Sequence, residues 1–100
     1  MNTQKTEQEI VNEAQKTLDY NFRNEVEIHQ ESIVDYTYYI VEFDGSKMAE
    51  FNTEEAAKYF ISQVKWRVEK LFDGRFQPEY WNSQKAEWID WGEAVSAKDL

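Results

Sequence analysis

Glu25, Glu27, Glu31 and Asp35 put four carboxylates into one short segment, and carboxylates that close together have two chemistries. They can hold a hard cation such as Ca²⁺ or Mg²⁺, which takes oxygen ligands. They can also present fixed negative charge to a basic partner, in the limit standing where the phosphates of a nucleic acid would stand. A calcium loop needs ligands at set offsets around a glycine that makes its sharp turn, and residues 25–35 contain no glycine. The segment reads as a charged face. Its functional version is a binding surface for a basic protein, its ordinary version a solvated strand, and no metal site is expected.

His29 is the only histidine, and there is no cysteine. Acid–base or nucleophilic catalysis needs partners within hydrogen-bond reach of one another. Ser32 and Ser46 sit in no Gly-x-Ser-x-Gly elbow. A single imidazole without thiolates is a poor start for a zinc site, and no glycine-rich phosphate cradle is present. The chain is therefore expected to be non-enzymatic and to need no cofactor.

Two further groups can recognise rather than react. Trp81, Trp88 and Trp91 crowd the C-terminal part; tryptophan is enriched at interface hot spots, but it also packs on sheets. Lys58, Lys65, Arg67 and Lys70 interleave with Tyr59 and Trp66, the mixture that contacts phosphates and stacks on bases. The overall charge argues against that use. Residues 1–57 carry thirteen acids against four bases, and residues 58–100 carry seven against seven, so the whole formal charge of −9 lies in the first part. Nucleic acid is an unfavourable partner for such a chain; a basic protein is a favourable one.

The elements that must position these groups follow from spacing. Thr6 with Glu9 forms a capping box, and Ile10, Val11, Ala14, Leu18 and Phe22 make one apolar stripe, which predicts a helix over residues 5–22. Residues 25–51 alternate and are rich in β-branched and aromatic types. Asp44-Gly45 predicts a type I′ hairpin turn that pairs Glu42 with Lys47, Ile40 with Ala49 and Tyr38 with Phe51. Both faces of that strand are partly apolar, so layers on both sides are expected. Asn52 and Glu55 cap a second helix, in which Ala56, Phe60, Val64, Val68 and Leu71 form an i, i+4 track ending at Gly74; its predicted span is 53–73, with the basic residues on its outer face. Residues 76–91 predict a C-terminal hairpin around a turn at 82–85. A short helix from Ser83 competes, because Trp88, Trp91 and Val95 also fit helical spacing. From about residue 92 a fraying tail is expected.

The expected architecture is one α+β domain: amphipathic helix, small antiparallel sheet, long second helix, C-terminal hairpin. The absence of cysteine and of an apolar leader favours a cytoplasmic protein without membrane association, monomeric or weakly homodimeric. The leading function is a small acidic interaction module, a regulator or inhibitor that uses Glu25, Glu27, Glu31 and Asp35 for charge and Trp81, Trp88 and Trp91 as anchor. Two alternatives stand beside it. One is a phage-type inhibitor that imitates nucleic-acid phosphates to occlude a host defence or nucleic-acid-binding enzyme. The other is a nucleic-acid binder working through Lys58, Lys65, Arg67 and Lys70.

Overall fold

Thr6 opens the first helix: its Oγ1 accepts a hydrogen bond from the Glu9 N–H at 3.2 Å, satisfying one of the donors every helix start leaves unpaired. In the computed structural model, which describes residues 5–100, α1 runs Glu7–Glu25, past the expected end at residue 22. The extension has a cause. Phe22 is fully buried, and Arg23 in the next position donates to the carbonyls of Ile61 and Val64, so the last turn is held by tertiary contacts.

Three strands follow, β1 (Glu27–Ile33), β2 (Tyr36–Phe43) and β3 (Ser46–Phe51), in an antiparallel meander with β2 in the centre. Asp44 and Gly45 both have positive φ, 53° and 75°, as the type I′ turn requires. Glu42 pairs with Lys47 as expected, but the register then shifts, and Val41 meets Ala49, Ile40 meets Glu50 and Tyr39 meets Phe51. The extra residue on β3 is Met48. A bulge turns two consecutive side chains toward the same side, and Met48 and Ala49 are accordingly both buried. Strict alternation could not accommodate that pair.

The long second helix is the main departure. α2 spans only Glu54–Gln63, and β4 (Trp66–Lys70) starts three residues later. Phe60, Val64 and Val68 are buried as the track required, but a spacing of four is also twice the strand period of two. Val64, Trp66 and Val68 are buried while Lys65 and Glu69 are exposed, which is strand alternation. Two β-branched residues and a tryptophan favour it over helix. The helix starts one residue late as well: Thr53 Oγ1, not Asn52, accepts the Ala56 N–H at 3.1 Å. Asn52 is engaged elsewhere, since its Oδ1 accepts from the Tyr36 hydroxyl.

β5 (Phe76–Asn82) and β6 (Glu87–Asp90) form the expected hairpin, but with β4 they make a second three-stranded antiparallel meander. Gly74, with φ 88°, serves the β4–β5 turn rather than a helix end. Beyond residue 92 Val95 exchanges backbone hydrogen bonds with Phe76 at 2.7 and 2.9 Å, and a 3-10 turn covers Ala97–Asp99. The architecture is α+β, with two α-helices and two three-stranded sheets among the described residues. No helix is long and apolar enough to cross a membrane among the described residues.

One core serves both sheets. Phe22 from α1 meets Phe43 of β2 edge-on at 5.3 Å and Trp66 of β4 at 5.6 Å. Tyr80 and Asn82 on β5 reach the Met48 carbonyl, and Gln84 in the β5–β6 turn donates to the Glu50 carbonyl. The second sheet thus covers the free edge of β3. α2 packs Phe60 on Phe51, on the inner face of the first sheet. Among the described residues no second layer covers the outer face, contrary to the expectation from its composition: Tyr36 is half exposed.

Candidate interaction face

β1 and β2 decide where the acids go. Ile28, Gln30 and Ser32 lie across from Val41, Tyr39 and Thr37, on the side that faces the core. Glu27, His29, Glu31 and Ile33 therefore share the outer face, beside Glu42, Ile40, Tyr38 and Tyr36 of β2. Glu25 ends α1 at the base of this hairpin, and Asp35 sits in the turn at its tip. The four acids singled out by spacing lie along one hairpin, with Glu42 joining them from the neighbouring strand.

Their partners are unusual. Glu27 and Glu42 stand directly opposite one another, an unfavourable like-charge pair. His29 Nε2 lies between them, 3.0 Å from Glu27 and 3.4 Å from Glu42. Glu31 accepts a hydrogen bond from the Tyr38 hydroxyl at 2.9 Å; that bond, with the carboxylate charge behind it, holds the Tyr38 phenol above its ordinary pKa. Among the described residues, no lysine or arginine forms a salt bridge with Glu25, Glu27, Glu31, Asp35 or Glu42; Lys47, which lies across from Glu42 in the register, binds Glu50 at 2.7 Å instead. Several acids elsewhere are matched locally: Lys70 with Glu7, Lys5 with Glu13, Arg23 with Asp19, Lys58 with Glu54 and Arg75 with Asp73. Glu9, Asp44, Glu55, Glu87, Asp90, Glu93 and Asp99 also form no salt bridge among the described residues; what sets the β1–β2 hairpin apart is that five acids without a lysine or arginine partner lie together there.

The tip of that hairpin is apolar. β2 extends beyond the end of β3, whose Phe51 pairs with Tyr39, so the distal part has only two strands and stands clear. Ile33 is 60% and Val34 93% exposed. Val34 also has φ 55°, a left-handed conformation that costs a β-branched residue about 1–2 kcal/mol. The reading of residues 25–51, with Asp44-Gly45 as its one predicted turn, missed this turn, because Val-Asp lacks the glycine or asparagine that usually marks one. The signal available was the switch in buried parity between Ile28 and Val41.

The tryptophans separate into two environments. Trp91 stacks on Phe43 at 5.3 Å and meets Trp66 and Tyr80 edge-on, so it packs against the core. Trp81 and Trp88 pair across β5 and β6 at 5.7 Å. Arg67 lies 4.1 Å over the Trp88 ring while its Nε binds Glu79 Oε1 at 2.5 Å, closing a ladder on the second sheet. The basic residues are not on one helix. Lys58 is on α2, Lys65 in the following loop, and Arg67 and Lys70 on β4.

No group of acids and histidine suited to a metal ion occurs among the described residues. A groove of about 670 Å³ beside α1 is lined by Tyr20, Arg23 and Lys65 among others, but Arg23 there is committed to the α2 end and to Asp19. No protein-family model matches this chain, and no curated protein or solved structure matches it significantly.

Proposed function

We propose that this chain is a small non-enzymatic interaction module, of the regulator or inhibitor kind, that docks a basic protein on its β1–β2 hairpin. The observation that carries the reading is the set Glu25, Glu27, Glu31, Asp35 and Glu42, five carboxylates along one projecting hairpin and its base that form no salt bridge with a lysine or arginine, His29 alone lying between two of them. Uncompensated charge of one sign steers a partner of the other sign and accelerates encounter. Steering alone gives no lifetime, which needs a buried apolar anchor. Ile33, Val34 and Tyr36 supply one at the tip, a better placed anchor than Trp91, which is already packed. Trp81 and Trp88 are half-buried and ordered by Arg67, and they serve as a secondary contact at most.

The test is capture of partners by the immobilised protein, comparing wild type with Glu27→Lys/Glu31→Lys and with Val34→Asp. A specific partner retained by wild type and lost from both variants supports the reading; equal retention by all three refutes it. Competition by duplex DNA then separates a generally basic partner from one whose phosphate-binding surface the carboxylates occupy.

A further inference from the structure

The same hairpin has an open edge as well as a charged face, and the edge carries a separate inference that does not rest on the proposed partner. β1 is the outer strand of its sheet, and the other sheet edges are short or covered. β3 is closed by Tyr80, Asn82 and Gln84. On β4 the Val68 N–H donates to Gln15 Oε1 at 3.0 Å, and β6 has four residues. Among the described residues, no hydrogen bond reaches the outer side of the β1 backbone.

Two-residue turns show which groups are free. Their closing pairs, Ile33–Tyr36 and Phe43–Ser46, exchange hydrogen bonds, and the bonded positions alternate from there. Phe43 faces β3, so Tyr36, Tyr38, Ile40 and Glu42 face β1, in agreement with the Ile33 closure. Ile28, Gln30 and Ser32 are then the residues that aim N–H and C=O outward. Proteins protect such edges with charged side chains, lysine above all, with proline or with a bulge; β1 has Glu27 and Glu31 but no lysine, proline or bulge.

We propose that a second copy of this chain pairs antiparallel along β1, making one six-stranded sheet about a two-fold axis at Gln30. Full overlap of Glu27–Ile33 with itself places the axis there and uses all three outward residues. It sets Glu31 opposite His29 of the second copy and Glu27 opposite its Ile33. Moving the axis by one residue in either direction sets Glu31 against its own copy, or Glu27 against Glu31, pairs that repel. The charges thus select the same register as the hydrogen bonds. The acids of the two β1–β2 hairpins come together in this arrangement and oppose association, so the pairing is expected to strengthen with salt, as the Debye length falls from about 10 Å at 0.1 M to about 3 Å at 1 M. One seven-residue edge is less than a standard interface, so the pairing is a concentration-dependent equilibrium.

A chain without cysteine makes the test direct. At the axis Gln30 meets itself with Cα atoms about 5.5 Å apart, within disulfide range, so Gln30→Cys under mild oxidation is expected to give a covalent dimer. Ser32→Cys, whose copies lie about 14 Å apart along the strands, is expected to cross-link about tenfold more slowly or less. Gln30→Pro removes an outward N–H that a free edge does not use; it is expected to keep the melting temperature and abolish the dimer in sedimentation velocity. Equal cross-linking of the two cysteine variants, a chain that stays monomeric at millimolar concentration, or a dimer that survives Gln30→Pro each overturns the proposal.

Discussion

Replacing Phe22 by alanine should remove the contact that joins the first helix to both sheets. The ring is fully buried and meets Phe43 and Trp66 edge-on at 5.3 and 5.6 Å. Losing the transfer free energy of a buried phenylalanine costs about 1.5–3 kcal/mol, and the cavity left behind brings Phe→Ala to about 3–5 kcal/mol. The upper part of that range applies. Phe43 and Trp66 belong to different sheets and are held by Trp91, which stacks on one and meets the other edge-on, so the site cannot collapse onto the gap. A domain of this size has about 5–15 kcal/mol in total, and each kcal/mol moves the melting temperature by about 4–8 °C. Urea unfolding followed by far-ultraviolet circular dichroism should therefore show a loss of about 4 kcal/mol. A loss below about 1 kcal/mol, outside the range for a buried ring, would show that α1 does not pack as described and that the two sheets have independent cores.

Asn82→Ala should cost about 1–3 kcal/mol in the same assay, because the amide is fully buried, caps the Lys85 N–H at 3.0 Å and leaves those groups unpaired when removed. Val34→Asn should raise stability by about 1 kcal/mol by relieving the left-handed valine, while weakening partner capture; a fall in stability would refute the strain at the tip. Burial pushes the Tyr80 phenol above its ordinary 10.0, against the Asn82 hydrogen bond that lowers it. A folded-state pKa above the unfolded one gives stability that is present below pH 10 and lost as pH rises through the raised value. Wild type should thus lose stability above pH 10 more steeply than Tyr80→Phe, and parallel profiles would contradict this.

The parts of the fold that were legible in the sequence are those governed by local chemistry. Thr6 announces the first helix through its own hydroxyl, and Asp44-Gly45 announces the hairpin because few other pairs tolerate positive φ twice. The second helix was misjudged beyond Gln63 because Phe60, Val64 and Val68 satisfy helical and strand spacing alike; the alternation of Val64, Trp66 and Val68 with charged residues was the signal for a strand, and β4's pairing with β5 realises it. The Met48 bulge was illegible for a similar reason: a bulge is settled by which two side chains the core accepts. Of the candidate site, the acids could be grouped from sequence because alternate strand residues share a face. The position of Trp91 could not, because its neighbours Phe43 and Trp66 come from distant parts of the chain. The apolar tip was hidden because a valine, Val34, takes the positive-φ position of its turn and Asp35 alone does not mark one.

The central claim is that the uncompensated carboxylates of the β1–β2 hairpin steer a basic partner. Its most direct test is the association rate with the captured partner as a function of salt, for wild type and for Glu27→Lys/Glu31→Lys. Reversal of two charges should slow association by about tenfold or more at low salt and flatten the salt dependence, with little net change in melting temperature, because both side chains are exposed and relief of the Glu27–Glu42 repulsion offsets loss of the Tyr38–Glu31 hydrogen bond. An association rate and salt slope identical to wild type would contradict the account and reduce the acidic hairpin to a solvated face.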